Sequence, residues 1–269
     1  MTPRNDPPDG MVRQRHWHRN VLATGLTAIL AGSLTAPAAA RPPMADGEPA
    51  SHEFHFTRGI YGAGSGNGWG PRWAVDYPKA DQQFLVALKR LTLVDAPDAE
   101  HAIELRAEAL QAYPFVYVLE VGSMSLTDSE VAALRNYLLA GGFLVIDDFW
   151  GDWAWQHFEE QMRRVFPARR IEEVPMDHPV FHVFYDIDEV VQVPNVQLAS
   201  GQGPTHEQGG RVPRVRGIFD DDGRLMVLIN WNTDLGDGWE WADSPSYHLR
   251  YSTYAFKIGV NFVIYAMTH

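Results

Sequence analysis

The 269-residue chain contains no cysteine, which excludes disulfide bonds, thiolate metal ligands and a cysteine nucleophile together. Basic residues are scarce as well, because 22 Lys and Arg stand against 34 Asp and Glu, a formal net charge of −12. Such a surface would repel nucleic-acid phosphates and anionic lipid headgroups, so neither is an expected partner. The chain also lacks G-x-S-x-G, H-E-x-x-H and G-K-S/T segments, and therefore predicts no serine-hydrolase elbow, zinc-protease helix or P-loop.

The first forty residues have the order of a secretory signal peptide. Three arginines between positions 13 and 19 precede the apolar run Val21–Leu34, and Ala38–Ala40 supplies a small-residue cleavage site. An uncleaved membrane anchor is the alternative, but the run is short for a span of about 20 strongly apolar residues. We expect cleavage near Ala40 and a periplasmic or secreted protein. Residues 1–40 hold four Arg and two Asp, so the remaining chain would carry a charge of −14.

After a Pro-rich linker at residues 41–52, the pattern predicts a single α/β domain over residues 53–269. Apolar segments typical of strands alternate with helical patterns, and no further run is apolar enough to span a membrane. The predicted strands are Phe54–Arg58, Ala102–Leu105, Phe115–Leu119 and Phe143–Ile146; the predicted helices open at Tyr77-Pro78, at Thr127 with a Thr127/Glu130 capping box, and at about Trp153. This alternation indicates a doubly wound, mostly parallel sheet flanked by helices.

The last third of the chain has a different pattern. Val212–Phe219 and Leu225–Asn230 flank a D-D-D-G turn and predict a hairpin. Tyr254–Met267 is an amphipathic C-terminal helix by its spacing, whereas residues 192–211 and 233–246 are polar and Gly-rich and are predicted as loops.

Two adjacent acids, Asp147 and Asp148, follow the strand predicted at Phe143–Ile146. Ligands bind outside the carboxyl ends of strands in open α/β sheets, so these acids are the candidate catalytic residues. Neighbouring residues in a strand point to opposite faces, and the two can therefore serve one site only if the strand has ended. One of them could cap the following helix while the other faces a crevice. Their chemistry fits a general base, a metal ligand or an acceptor for sugar hydroxyls, and turn and cap chemistry is the alternative.

Other candidates follow the ends of the remaining strands. Arg58 could bind a carboxylate or phosphate, or it could form a structural ion pair with Asp147 or Asp148. Glu120 and Asp234 add acids at strand ends, and Ser123 offers a hydroxyl. The Gly-rich loop at residues 59–75 is predicted to act as a lid. Eight tryptophans lie in or beside loops, where they could line a ligand site or form a hydrophobic cluster: Trp69, Trp73, Trp150, Trp153, Trp155, Trp231, Trp239 and Trp241.

Several segments together resemble one bacterial family. They are F-H-F-T-R-G-I-Y, D-Y-P-x-A-D, Y-P-F-V-Y, G-G-F-L-V-I-D-D-F and K-I-G-V-N-F-V-I-Y-A, spread over Glu53–Thr268. The chain is similar to domain-of-unknown-function family 4159, and the resemblance implies a class I glutamine-amidotransferase-like, flavodoxin-like fold. It implies no reaction. Because the chain has no cysteine and no replacement elbow, glutaminase activity is excluded and no catalytic residue of that superfamily is carried over.

The leading hypothesis is an exported envelope protein that binds a small polar ligand, such as a glycan or cell-wall fragment, in a crevice at the carboxyl edge. The predicted ligand-binding residues are Arg58, Tyr61, Trp73, Asp76, Asp148 and Trp150. The alternatives are a hydrolase with Asp147 or Asp148 as general base, and a protein-interaction module of an envelope complex that uses its Trp loops. No cofactor is predicted, and no metal ligands are assigned.

Overall fold

The structure is a computed structural model that describes residues 52–63 and 70–269. The predicted signal peptide, all but the end of the linker and residues 64–69 of the predicted lid lie outside the described residues. The strands of the described part are β1 (Thr57–Ile60), β2 (Gly62–Ala63), β3 (His101–Glu104), β4 (Phe115–Leu119), β5 (Met124–Ser125), β6 (Phe143–Asp147), β7 (Glu172–Glu173), β8 (Arg214–Phe219) and β9 (Leu225–Trp231). The helices are α1 (Lys79–Leu91), α2 (Ala107–Leu110), α3 (Asp128–Leu139), α4 (Gly151–Val165), α5 (Leu235–Glu240) and α6 (Leu249–Thr268).

Seven of the strands form one sheet in the order β3-β1-β4-β6-β9-β8-β7. The pairs from β3 to β9 are parallel, and β8 and β7 continue the sheet in antiparallel fashion. Counted along the chain, the five parallel strands stand in the order 2-1-3-4-5, the order of flavodoxin-like sheets. The prediction of an α/β fold with a mostly parallel sheet flanked by helices is confirmed. The predicted C-terminal hairpin is the antiparallel pair β8 and β9.

A hydrophobic core lies on each face of this sheet. In β4, Phe115, Tyr117 and Leu119 pack into one core with α1, α5 and α6, whereas Val116 and Val118 pack into the other with α2, α3 and α4. Both faces of the central strands are therefore buried, which is why these strands are continuous apolar runs in the sequence.

Helix α3 has the predicted start. The Thr127 hydroxyl accepts a hydrogen bond from the Glu130 amide at 3.2 Å, and a carboxylate oxygen of Glu130 accepts one from the Thr127 amide at 2.7 Å. The reciprocal bonds satisfy donors that a helix N-terminus leaves free. The chain then leaves the helix through Gly141, whose φ of +112° suits glycine.

The predicted loop at residues 233–246 is wrong in its first half, where α5 lies. Asp234 caps this helix by accepting a hydrogen bond from the Asp237 amide at 2.7 Å, and Trp239, which is 1% exposed, anchors it in the core. The sequence pattern does not indicate this helix, because Gly236 and Gly238 have low helix propensity. Helix α6 begins at Leu249, five residues before the prediction. Within the described residues, no helix combines the length and apolarity that crossing a bilayer requires.

Candidate functional site

A crevice of about 660 Å³ opens at the carboxyl edge of the parallel sheet. Glu120 follows β4, Asp148 follows β6 and Asp234 follows β9, and all three line the crevice. Loop residues after the first strand and after β6 complete its walls, among them Asp76 and Trp150. The crevice thus lies where ligands bind in open α/β sheets.

The lining is strongly acidic. Its only cation among the described residues is Arg72, which bonds Glu120 at 2.9 Å. Seven residues with carboxyl groups line the crevice: Asp76, Glu120, Asp148, Glu207, Asp234, Asp237 and Glu240. The lining therefore has a large excess of negative charge when its carboxyl groups are ionised.

Asp148 is the acid that β6 delivers to the crevice. Its backbone φ of +46° turns the chain out of the strand, and Asp148 lines the crevice whereas Asp147 does not. The side chain is 6% exposed, and its Oδ1 accepts a hydrogen bond from Trp150 Nε1 at 2.9 Å. Burial, followed by the charges of Glu120 and Asp76, raises the pKa of Asp148 well above its ordinary value.

Asp147 has a structural position under the crevice. Its Oδ2 accepts hydrogen bonds from the Tyr117 hydroxyl at 2.6 Å and from the amides of Leu235 and Gly236 at 2.9 and 3.2 Å. It is fully buried and does not line the crevice. Burial raises its pKa to about 7. One acid of the pair, Asp148, thus lines the crevice, and the other, Asp147, caps a helix. The capped helix is α5, however, so the prediction that it is the helix following β6 is wrong.

Asp76 lies at the centre of the acidic lining. Its Oδ2 has no accessible surface and no hydrogen-bond partner. Burial, followed by the charge of Asp237, raises the pKa of Asp76 well above its ordinary value. Burial similarly raises the pKa of Asp234, with Asp148 adding to the effect, and raises that of Asp237 to about 6.

Two groups of three carboxylates within the described residues have a geometry that could hold a metal ion. In each group, one oxygen from every side chain lies within 4.8 Å of the others. One group consists of Asp76, Asp148 and Asp234, and the other of Asp76, Asp237 and Glu240. Asp76 is the residue that belongs to both groups.

Arg58 lies beneath the crevice and not in it. Its guanidinium is fully buried and forms a bidentate pair with Asp81, one bond of which, from Nε to Oδ2, measures 3.1 Å. The same guanidinium donates to the carbonyls of Trp73 and Val75. The predicted pairing with Asp147 or Asp148 is thus wrong, because Asp81 on α1 accepts from Nε and Nη2 and the two carbonyls accept from Nη1. Arg58 instead fixes the chain just before Asp76.

Tyr61 and Trp73 are placed behind the wall of the crevice. The Tyr61 hydroxyl lies 2.9 Å from the carbonyl oxygens of both Leu119 and Glu120, to which it can donate. Trp73 is 8% exposed and packs against Tyr77. Neither side chain lines the cavity. Both support the backbone that presents Glu120 and Asp76.

Three of the tryptophans line the crevice, namely Trp150, Trp153 and Trp241. Trp153 is 70% exposed, whereas Trp155 and Trp231 pack against each other and Trp239 lies in the core. Trp69 lies outside the described residues. Ser123 also lines the crevice, and its Oγ is buried without a hydrogen-bond partner in the described part of the chain.

Sequence reasoning missed three acids of the lining: Glu207, Asp237 and Glu240. Asp237 and Glu240 are three residues apart and, with Asp234, show the i, i+3 spacing that places side chains on one face of a helix. The polar residues and glycines of 233–246 nevertheless favour a loop there, which conceals this spacing. Glu207 comes from the loop before β8 and bonds Asn195 at 2.6 Å, and no local pattern marks it.

Fold and site together define an α/β protein with an acidic crevice at the carboxyl edge of its parallel strands. The chain belongs to the family described as Domain of unknown function (DUF4159), whose model matches residues 56–267. No curated protein matches the chain.

Proposed function

We propose that the chain is an exported protein that binds a small, positively charged polar ligand in the acidic crevice. An amine-bearing glycan or cell-wall fragment has the required chemistry. The observation that carries the proposal is the composition of the lining, which contains seven carboxyl groups and only one guanidinium among the described residues.

The carboxyl groups of the lining lack compensating charge. Buried carboxylates that crowd together raise one another's pKa, and a group held in that way is stabilised by an incoming cation. Arg72 offsets only Glu120, at 2.9 Å. A protonated amine would supply the missing charge and could donate hydrogen bonds to several carboxylates.

The aromatic lining suits the same class of ligand. Trp150, Trp153 and Trp241 border the crevice. Indole faces attract cations and stack on the apolar faces of sugar rings. Ser123 adds a hydroxyl whose Oγ has no partner in the described part of the chain.

The test compares two ligands that differ in charge. Glucosamine tetramer and N-acetylglucosamine tetramer are titrated calorimetrically into the chain in EDTA at low salt. We expect the amine-bearing tetramer to bind at least about tenfold more tightly, a difference of about 1.4 kcal/mol. Asp148→Asn should weaken that binding, whereas the exposed control Asp177→Asn should not. Equal affinities for the two tetramers, or no binding of either, would contradict the proposal.

A hydrolase is the second candidate, favoured by the raised pKa of Asp148. A carboxyl group whose pKa is raised by burial and by neighbouring acids can act as a general acid. Asp147 is set aside because it does not line the crevice. Reducing ends released from the glucosamine tetramer, and lost in Asp148→Asn, would support this candidate. A tetramer that is bound but not cleaved would support binding without hydrolysis.

The interaction module has less support, since Trp153 is the one tryptophan of the described residues that is largely exposed.

We also propose that residues 1–40 are a signal peptide, that 41–52 form a linker and that 53–269 form one domain. The support is the sequence of a basic stretch, an apolar run and an A-x-A site. Expression in a Gram-negative host followed by N-terminal sequencing should give a periplasmic protein that begins near Arg41. An intact N-terminus in the membrane fraction would indicate an anchor instead.

The finer fold assignment, class I glutamine-amidotransferase-like, is likewise a proposal. Its support is the 2-1-3-4-5 order of the parallel strands. An experimental structure superposed on members of that fold would test it, and helices that fail to superpose on both faces of the sheet would refute it.

A further inference from the structure

We infer that Asp76, Asp148 and Asp234 bind one hard divalent cation, with Ca²⁺ the best match, on the floor of the crevice. The inference rests on the proposed function, since it names a component of the same site. It differs from the proposed function in that the ion needs no organic ligand to bind.

The geometry of the three side chains suits one ion. One carboxylate oxygen from each lies within 4.8 Å of the other two. Ca²⁺ binds oxygens at about 2.3–2.6 Å, so two oxygens across the ion are at most about 5 Å apart. An ion can therefore contact all three side chains without a change in the backbone.

An independent observation is a buried oxygen without a partner. Oδ2 of Asp76 has no accessible surface and no hydrogen bond, although a buried acceptor without a partner is costly. The carboxyl groups that surround it, Asp148 and Asp234, are only 6% and 3% exposed. Carboxylates cannot donate to one another, so this cluster needs a proton, a water donor or a cation, and a divalent cation also offsets its charge.

The second group, formed by Asp76, Asp237 and Glu240, is the weaker candidate. Both oxygens of Asp237 already accept hydrogen bonds, from the Val196 amide at 2.6 Å and from Trp241 Nε1 at 3.1 Å. Asp148 and Asp234 are each engaged at Oδ1, by Trp150 Nε1 and by the Asp237 amide respectively. We therefore place the ion in the first group.

The identity of the ion follows from its ligands. All three are carboxylates, and hard oxygen ligands favour Ca²⁺, Mg²⁺ and Mn²⁺ over Zn²⁺ or Cu²⁺. Mg²⁺ requires oxygens at 2.0–2.1 Å in nearly ideal octahedral geometry, whereas Ca²⁺ accepts six to eight oxygens in flexible geometry. The other four acids of the lining, Glu120, Glu207, Asp237 and Glu240, lie outside this group.

The experiment uses the metal alone. CaCl₂ is titrated into the EDTA-treated and desalted chain by calorimetry, and Tb³⁺ luminescence sensitised by Trp150 provides a second readout. We expect one Ca²⁺ per chain and displacement of bound Tb³⁺ by Ca²⁺.

Two variants remove ligands and one blocks the site sterically. Asp148→Asn and Asp234→Asn should each lower Ca²⁺ affinity at least about tenfold, because affinity depends on the charge of the ligands. Asn at 234 keeps an acceptor for the Asp237 amide, so α5 remains capped. Gly236→Ala, whose Cβ would overlap Oδ2 of Asp76, should weaken binding without a change of charge. Asp177→Asn is the matched control.

The outcomes separate the two proposals. No heat and no displaced Tb³⁺ up to about 1 mM Ca²⁺, the weak end of natural sites, would overturn the inference. Unchanged affinity in all three variants would overturn it as well. Glucosamine tetramer that binds in EDTA while Ca²⁺ fails would refute only the ion. Ca²⁺ that binds while both tetramers fail would refute the organic ligand and leave the ion.

Discussion

Two sets of buried charges lie side by side near the carboxyl edge of the sheet, and they differ in balance. Arg58 and Asp81 are both fully buried, and each meets the opposite charge with well-placed hydrogen bonds. The crevice lining holds seven carboxyl groups and one guanidinium. The charges of the first set balance each other, whereas those of the second set are balanced only when protons or cations bind. Balanced buried charge therefore marks structure here, and unbalanced charge marks the candidate site.

The two sets are also connected. Arg58 donates to the carbonyls of Trp73 and Val75, which lie just before Asp76 in the chain. The guanidinium also lies over the Tyr117 ring, 5.2 Å from its centre, and the hydroxyl of Tyr117 donates to Asp147. The balanced pair thus positions the segment that presents the acid at the centre of the unbalanced set.

The largest expected effect is on the pH dependence of stability without cations. Burial raises the pKa of Asp147 to about 7, from 3.8 when unfolded. Between these values the folded chain holds a proton that the unfolded chain has lost, so stability falls as pH rises from about 4 to 7. Asp147 alone corresponds to about 4 kcal/mol, and the raised pKa of Asp237 acts in the same direction.

Urea unfolding at several pH values in EDTA measures this slope. Asp147→Asn should flatten it, because the amide oxygen still accepts from Tyr117 but no longer titrates. A stability that rises over the same range would show that the buried carboxyls are compensated in the folded chain.

A smaller loss is expected when the balanced pair is broken. Asp81→Asn leaves the Arg58 guanidinium buried without its counter-charge, which should lower the free energy of unfolding by about 3 kcal/mol or more. The matched control is the bidentate pair of Arg169 and Asp221, where Asp221 is 92% exposed. Asp221→Asn should cost less than about 1 kcal/mol. Similar losses at the two sites, measured by urea unfolding, would deny the special role of burial.

The smallest effect sharpens the description of Asp148. Trp150→Phe removes the indole donor 2.9 Å from Oδ1 of Asp148 and part of a ring that is 3% exposed, and we expect a loss of about 1 kcal/mol or more. Trp153→Phe changes an indole that is 70% exposed and should leave the unfolding midpoint in urea nearly unchanged. If both variants behave alike, the hydrogen bond contributes nothing.

The sequence predicted much of the fold because its signals were local. Phe115–Leu119 is apolar throughout and is strand β4, and Thr127 with Glu130 marks the start of α3. Helix α5 was not predicted because its stability depends on contacts that are distant in sequence. These are above all the packing of Trp239 in the core and the hydrogen bond to Asp147, which is 88 residues from Leu235. Local propensity contains neither contact.

The site was predicted in its location and only partly in its members. Asp148 was found because it follows a strand that is evident in the sequence. Arg58 was misassigned because its partner, Asp81, lies one helix away and only the fold brings the two together. The crowding of Asp76 against Asp148 and Asp234 joins three separate loops, and no spacing in the sequence could show it.

Whether the charge of the lining is uncompensated is tested by the free energy of unfolding of Asp148→Asn at pH 8, in EDTA and in saturating Ca²⁺. If the lining lacks compensation, replacing one of its buried, ionisable carboxyl groups by a neutral amide should raise the free energy of unfolding in EDTA, by about 1 kcal/mol or more. With Ca²⁺ the sign should reverse, because the wild-type chain gains stability from an ion that the variant binds poorly. A variant less stable than wild type in EDTA, and equally affected by Ca²⁺, would contradict the account.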